Sequence, residues 1–308
     1  MFLILIGIIF LCFGAESLVR GSSRLAEKFG IPPLIIGLTV VAFGTSSPEL
    51  LVSISAALKG SSDVAMGNVV GSNIFNIAVI LGLTALIRPP RVHLDLIRRE
   101  IPIMLVVTVV ASVLVLWGAV PRLAGMALFA GLCAYLVFSI RMAGRQNNLG
   151  EFKLPETRAI PVWACCLLIL AGLGILAFGS HLFVTGAVKT ARQFGLSEAV
   201  IGLTIVAAGT SLPELATSLV AAIKRESDVA IGNIVGSNIF NILGILGLTA
   251  SILPLEVSGV GVVDAGFMLG ISLLLLPFAF SQKLISRWEG GVFLCIYLFY
   301  LYLLWPKN

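Results

Sequence analysis

Residues Gly37–Ala57 read GLTVVAFGTSSPELLVSISAA, an apolar run with a single carboxylate, Glu49, near its middle. Residues Gly202–Ala222 read GLTIVAAGTSLPELATSLVAA and match it at 14 of 21 positions. A second pair, Asp63–Thr84 and Asp228–Thr249, matches at 18 of 22 positions with the same offset of 165 residues. One duplication accounts for both pairs, and it sets Glu49 against Glu214. A carboxylate in hydrocarbon is costly, so its presence there marks a functional position. Gly and Pro interrupt both runs, and matched interruptions in two halves of a membrane chain point to a binding site.

Composition agrees with a lipid environment. The chain is 58% hydrophobic and only 11% charged, and its mean hydropathy is +1.09. An ordinary soluble domain is excluded on those values. The net charge of +5 comes from Lys and Arg placed between apolar runs, where they act as topology signals and headgroup contacts. No basic cluster interleaves with aromatics on a polar face, so no nucleic-acid partner is expected. Cys12, Cys133, Cys165, Cys166 and Cys295 all fall in apolar runs without ligand spacing and read as small packing residues. The first apolar run, Met1–Val19, lacks the basic region of a signal peptide. Its Phe13-Gly14 also repeats as Phe178-Gly179, so it reads as a retained helix.

Segments near the ~20 residues needed to cross a bilayer fall at 2–21, 31–58, 63–87, 100–118, 121–141, 159–187, 196–223, 228–252, 259–280 and 288–306. The expected fold is an all-α polytopic membrane protein of ten transmembrane helices. It comprises an N-terminal five-helix repeat at 1–141 (motif 37–84), a cytoplasmic linker at 142–158, and a C-terminal five-helix repeat at 159–308 (motif 202–249). Counting Lys and Arg on alternate connections gives 15 on one side and 5 on the other. The positive-inside tendency then puts both termini outside and the linker in the cytoplasm of a cell whose plasma (inner) membrane holds the chain. Five helices per repeat also make the second repeat enter from the opposite side, so the repeats are inverted. Helices 2, 3, 7 and 8 are expected to be broken and to form a central ion-binding core.

The chemistry lies in those helices. Thr45 and Glu49 are four residues apart on one face. Pro48 lacks an N–H and crowds the Gly44 carbonyl, which kinks the helix and frees backbone oxygen. Ser46 adds a hydroxyl, and Ala42 lies one turn earlier. Ala207, Thr210, Ser211, Pro213 and Glu214 repeat the arrangement. Helix 3 adds Ser72 and Asn76, and helix 8 adds Ser237 and Asn241. Together they make an all-oxygen set suited to hard cations, since Ca²⁺ takes ~6–8 oxygens at about 2.3–2.6 Å. The set contains no His or Cys, against Zn²⁺ or Cu⁺. Elsewhere, Asp63 and Asp228 read as helix N-caps. Glu16 and His181, and Arg99 and Asp264, face each other in the repeat alignment and read as interfacial or paired. His93 reads as solvated, and Tyr297, Phe299, Tyr300, Tyr302 and Trp305 as an interfacial belt.

GTSSPEL with GNVVGSNIFNI, repeated as GTSLPEL with GNIVGSNIFNI, resembles the paired alpha-repeats of the cation/calcium exchanger superfamily, closest to the prokaryotic sodium/calcium exchangers. The resemblance covers nearly the whole chain. It implies ten helices in inverted repeats, with alternating access by sliding of the first and sixth helices. It also implies a central calcium site at Glu49 and Glu214 with backbone oxygens of Thr45 and Thr210. Flanking sodium sites would use the carbonyls of Ala42 and Ala207 and the side chains of Ser46, Ser211, Ser72 and Ser237. Asn76 and Asn241 fall at the two central polar positions. Some members carry Asp in place of the second Asn, and in animal exchangers that acid accompanies K⁺ co-transport, so Asn241 argues against potassium dependence. The acidic motif of the proton-coupled calcium branch is absent.

The expected activity is Na⁺/Ca²⁺ antiport with no cofactor and no obligatory protein partner, by a chain working as a monomer in the lipid bilayer. Two acids balance one Ca²⁺ or a pair of Na⁺, and full joint occupancy would leave excess positive charge in a low-dielectric site. The competing readings are an H⁺/Ca²⁺ or Na⁺/H⁺ antiporter and a cation channel. An intramembrane hydrolase needs a nucleophile with a base or metal. Neither histidine joins the Ser/Thr cluster, so the chain does not read as an enzyme.

Overall fold

With no water at the bilayer core, a spanning backbone must satisfy its own N–H and C=O groups, and these apolar runs do so as helices. The computed structural model describes residues 2–148, 161–194 and 207–304. In chain order the helices are α1 Phe2–Phe29, α2 Pro33–Thr45, α3 Ser47–Leu58, α4 Ser62–Ile87 and α5 Leu96–Trp117. α6 Arg122–Asn148 and α7 Val162–Gln193 follow, then α8 Ala207–Thr210 and α9 Leu212–Ile223. α10 Ser227–Ile252, α11 Val262–Gln282 and α12 Arg287–Leu304 complete the chain. Among the described residues, eight helices are long and apolar enough to cross a membrane, or nine if α2 and α3 form one bent span. Most of the expected 142–158 linker, the start of the seventh span at 196–206, and Trp305 lie outside the described residues.

The chain divides into two compact units. The first holds Met1–Pro48 and Ala134–Gly236, and the second holds Glu49–Cys133 and Ser237–Asn308. Each unit therefore draws on both sequence repeats.

In the first unit, α1 and α7 pack backbone to backbone. Gly7, Gly14 and Gly21 recur every seven residues, and Gly172, Gly179 and Gly186 repeat them with the same 165-residue offset. A Cβ built at Gly7, Gly14 or Gly21 would lie 2.9 Å from the carbonyl of Gly179, Gly172 or Cys165 respectively. The partners descend as the glycines ascend, so the pair is antiparallel. Small residues at such an interface are what let membrane helices approach this closely. Leu11, Ala15, Leu18, Ile169 and Leu176 fill the remaining contact.

Two helix ends show the duplication in atomic detail. Ser61 N donates to the Ala56 carbonyl at 2.9 Å and Gly60 N to Ala57 at 2.9 Å; Glu226 N donates to Ala221 at 2.9 Å and Arg225 N to Ala222 at 3.1 Å. Both are Schellman caps, which require a left-handed residue. Gly60 supplies it with φ 76°, and Arg225 with φ 70°.

In the second unit, β1 Ala119–Val120 pairs antiparallel with β2 Leu255–Glu256, tying the end of α5 to the end of α10. Glu289 is buried and accepts from Ser286 N and Oγ, both at 2.7 Å, closing the start of α12.

Several expectations change. Helices 3 and 8 are not broken: α4 and α10 run continuously and each absorbs a π turn, at Asn76–Leu81 and Phe240–Leu246. Neither helix contains a proline that would force a break. Asp63 is not an N-cap; it sits inside the first turn of α4 and accepts from Ser258 N, Ser258 Oγ and Gly259 N at 2.7–2.9 Å. Asp228 likewise lies one residue inside α10. Tyr297 and Tyr300 turn inward rather than joining a belt. Tyr300 donates to Asp264 at 2.7 Å, and the Tyr297 ring meets Phe75 edge-on. Phe299 and Tyr302 do face outward. Pairing is observed for Glu16, which bonds Lys224, and for Arg99, whose Nε lies 2.7 Å from buried Glu100.

The glycine seam gives a direct test. Gly14→Ala is expected to destabilise the protein by about 1–3 kcal/mol through overpacking. Gly174→Ala, on the same α7 helix with nothing within 4 Å, is expected to be neutral or slightly stabilising. Thermal unfolding of the two purified variants in one detergent checks the contrast.

Candidate functional site

α2 and α3 meet at a bend of 44°. Pro48 lies at the second position of α3, where its missing N–H costs no helical bond but the turn before it is disrupted. The residue that absorbs the change is Ser46, with φ −83° and ψ 4°. Its counterpart Ser211 has φ −87° and ψ 8°, just before Pro213. Both serines thus occupy the sparsely populated bridge region, where active-site residues are often found. The two hinges are one local solution used twice.

In the first unit, Glu214 is the centre. It is 1% exposed, and its Oε1 accepts from Ser46 Oγ at 2.9 Å. Its Oε2 has no hydrogen-bond partner among the described residues, and nor has Thr217 Oγ1. Thr45 Oγ1 donates to Asn233 Oδ1 at 3.1 Å and to the Ala42 carbonyl at 3.3 Å. That carbonyl also accepts from Ser46 N at 3.0 Å and so stays within the helical ladder. Thr210 and Ser211 flank the second hinge, Ser211 buried, and Ala207 opens α8. The Gly209 carbonyl, four residues before Pro213, accepts from Ser180 Oγ on α7 at 2.7 Å. The residue 165 positions earlier is Ala15, so this bond has no mirror image.

In the second unit, Glu49 is also 1% exposed, and Ser72, Asn76, Ser237 and Asn241 are buried with it. Asn76 Nδ2 donates to Asn238 Oδ1 at 3.3 Å. Asn76 Oδ1, Ser237 Oγ and Asn241 Oδ1 have no hydrogen-bond partner among the described residues. Asn76 opens the π turn of α4, and Asn241 is the second residue of the π turn of α10. π turns occur mostly as single-turn bulges inside α-helices, frequently at functional sites. Of the twelve residues singled out in the sequence, seven fall in the first unit and five in the second.

Two residues escaped the sequence reading. Asn233 Nδ2 donates to the Glu214 carbonyl at 3.4 Å and to Ser218 Oγ at 2.9 Å. Asn68 Nδ2 donates to the Glu49 carbonyl at 3.1 Å and to Ser53 Oγ at 2.9 Å. Each amide thus pins the backbone of the nearest acid. The signal was present, because Asn68 and Asn233 lie in the repeated GN-x-VGSN motif, four residues before Ser72 and Ser237. Among the described residues, no three His, Cys, Asp or Glu side chains gather into a metal cluster. The site chemistry is therefore one acid per unit among neutral oxygens.

Asn68→Ala and Asn233→Ala are each expected to cost about 1–3 kcal/mol, because the buried partners are left unsatisfied. Ser180→Ala is expected to cost a similar amount, about 1–3 kcal/mol, because it orphans the buried Gly209 carbonyl, for which Pro213 has no N–H. Thermal midpoints of the three variants check these losses.

The family described as sodium/calcium exchanger protein matches residues 1–141 and 164–305. The inner membrane protein YrbG of Escherichia coli is 43% identical over 263 residues, covering 83% of this chain and 80% of its own. The sodium/calcium exchanger MaX1 of Methanosarcina acetivorans is 32% identical over 344 residues, covering 98% of this chain and 97% of its own. A solved structure of the sodium-calcium exchanger NCX_Mj, soaked with Na⁺ and Ca²⁺, superposes with a TM-score of 0.85 at 34% identity. The match spans 97% of this chain and 96% of that one. Family match, curated relatives and fold agree over nearly the full length, and the chain belongs to the sodium/calcium exchanger protein family.

Proposed function

We propose that this protein is a secondary antiporter that exchanges Na⁺ for Ca²⁺ by alternating access, with both ions competing for a cluster built around Glu49 and Glu214. Membership of an exchanger family makes it a multi-pass membrane transporter of cations rather than an enzyme. The observation that carries the finer reading is Glu214: a carboxylate 1% exposed, with one oxygen on Ser46 and the other without a hydrogen-bond partner. A buried acid in that condition calls for a cation or a proton. Glu49, equally buried and related to it by the duplication, is the second acid. The neutral oxygens of Thr45, Thr210, Ser46, Ser211, Ser72, Ser237, Asn76 and Asn241, with the carbonyls of Ala42 and Ala207, complete the proposed ligand sets. A hard, oxygen-only donor set of this kind suits Ca²⁺ and Na⁺.

Coupling follows from charge. Two carboxylates balance one Ca²⁺ or two Na⁺, and placing both kinds together would leave uncompensated charge in a medium of low dielectric. Occupancy is then mutually exclusive, and Na⁺ entering downhill drives Ca²⁺ out. Access alternates by movement of α1 and α7, whose glycine seam keeps them in register as a pair. The chain works as a monomer in the plasma (inner) membrane, with both termini outside and residues 142–158 cytoplasmic.

In sealed proteoliposomes, a Na⁺ gradient is expected to drive radiolabelled Ca²⁺ flux through the wild-type protein. Glu49→Gln and Glu214→Gln are each expected to reduce that flux to background while the protein still unfolds cooperatively on heating. Full flux in either variant contradicts the assignment. A proton gradient that replaces Na⁺ completely selects H⁺/Ca²⁺ exchange instead. Flux is also expected to fall as pH is lowered, because protons compete for the same two acids.

A further inference from the structure

Two of the basic connections in the second unit are stitched together. Val92 N donates to the Lys283 carbonyl at 2.8 Å, and Ile285 N to the Pro90 carbonyl at 3.1 Å. Arg91 and Leu284 sit opposite each other in this short antiparallel bridge. Between the connections lies a pocket of about 420 Å³ lined by Arg91, Val92, His93, Leu94, Asp95 and Lys283. Val92 forms its buried floor, and both cationic side chains stand exposed. Neither Arg91 nor Lys283 has a side-chain hydrogen bond or salt bridge among the described residues. Exposed Arg98 and Arg287 stand in the first turns of α5 and α12, next to these connections, and Asp95 is the one acid among the lining residues.

The backbone at Lys283 is informative. It has φ 52° and ψ 35°, a left-handed conformation at the end of α11. A lysine there carries strain that glycine would avoid. The position thus holds an ammonium where the fold alone favours glycine. The pocket also lies between the start of α5 and the end of α11, where two apolar spans meet their polar connections. Trp288, 71% exposed beside Arg287, is the kind of side chain that sits at headgroup depth.

We infer that this pocket binds a phosphate-bearing anion, with Arg91 and Lys283 as its two cationic contacts. Arg supplies a planar fork matched to phosphate oxygens, and Lys adds a point charge. Basic pockets between transmembrane helices are known forms of headgroup site. The phosphate is drawn either from an anionic lipid headgroup or from a soluble phosphate, and the two sources are separable. The site is independent of the Glu49 and Glu214 assignment.

The test uses the full-length protein purified in a neutral detergent. Phosphatidylglycerol, phosphatidylcholine and inorganic phosphate are titrated separately against the thermal midpoint. Phosphatidylglycerol is expected to raise the midpoint saturably, and phosphatidylcholine is not. An equal rise with inorganic phosphate assigns the site to soluble phosphate; no rise assigns it to lipid. The Arg91→Gln, Lys283→Gly double variant is expected to weaken the apparent affinity roughly tenfold or more. Lys283→Gly alone removes the ammonium while relieving the backbone, so it is expected to fold and still lose most of the response. Lys59→Gln, on a connection outside the pocket, is expected to respond as wild type. A wild-type response in the Lys283→Gly and double variants, or no difference among the three additives in the wild type, overturns the proposal.

Discussion

Taking a carboxylate out of water is unfavourable by several kcal/mol unless a partner replaces the lost hydration. Glu49 and Glu214 both meet that condition at 1% exposure, and much of the surrounding structure serves it. A proline follows each hinge serine by two residues, and Ser46, Ser211 and both acids are buried. Asn68 and Asn233 hold the backbone of each acid through its carbonyl. Ser46 engages one oxygen of Glu214 and leaves the other with no protein donor. Among the described residues, no Lys or Arg pairs with Glu214. A salt bridge would be the cheapest structural solution, and it would also abolish any need for a cation. Its absence from the described contacts of Glu214 fits the proposed cation site.

The duplication sets the geometry, and the departures from it are as informative as the matches. The hinges at Ser46 and Ser211 differ by only 4° in φ and in ψ. The two Schellman caps match bond for bond, although one uses Gly60 and the other tolerates Arg225. By contrast, Ser180 binds the Gly209 carbonyl where the first repeat offers only Ala15. Asn76 pairs with Asn238, whereas Asn73 donates to its own helix at Val69. The two repeats therefore share their hinges and caps but not every side-chain bond.

Much of this was legible in the sequence, for definite reasons. A carboxylate amid apolar residues, preceded by proline and repeated at a fixed offset, is visible without coordinates, because composition alone sets the cost of burying it. The apolar spans followed from segment length and hydropathy, and eight or nine of them appear as membrane-length helices among the described residues, against the ten expected. Other features depend on packing that local pattern does not encode. The choice of a π turn over a break at Asn76 and Asn241 rests on which carbonyl each N–H finds once neighbouring helices are in place. Asn68 and Asn233 carry their signal in the repeat itself, yet their role needs the three-dimensional nearness of α3 to α4 and of α9 to α10. The heptad of glycines on α1 and α7 was countable, but its antiparallel pairing was not. Tyr300 looked interfacial because its neighbours are; only the position of Asp264 turns it inward.

The most direct test of the account is anomalous diffraction from crystals of this protein grown without Na⁺ and soaked in Sr²⁺. The account predicts one strong peak within about 2.3–2.7 Å of carboxylate oxygens from both Glu49 and Glu214, lost when Na⁺ is raised. A peak bound by only one of these acids, or two carboxylates directed into separate surroundings with no cation between them, would contradict it.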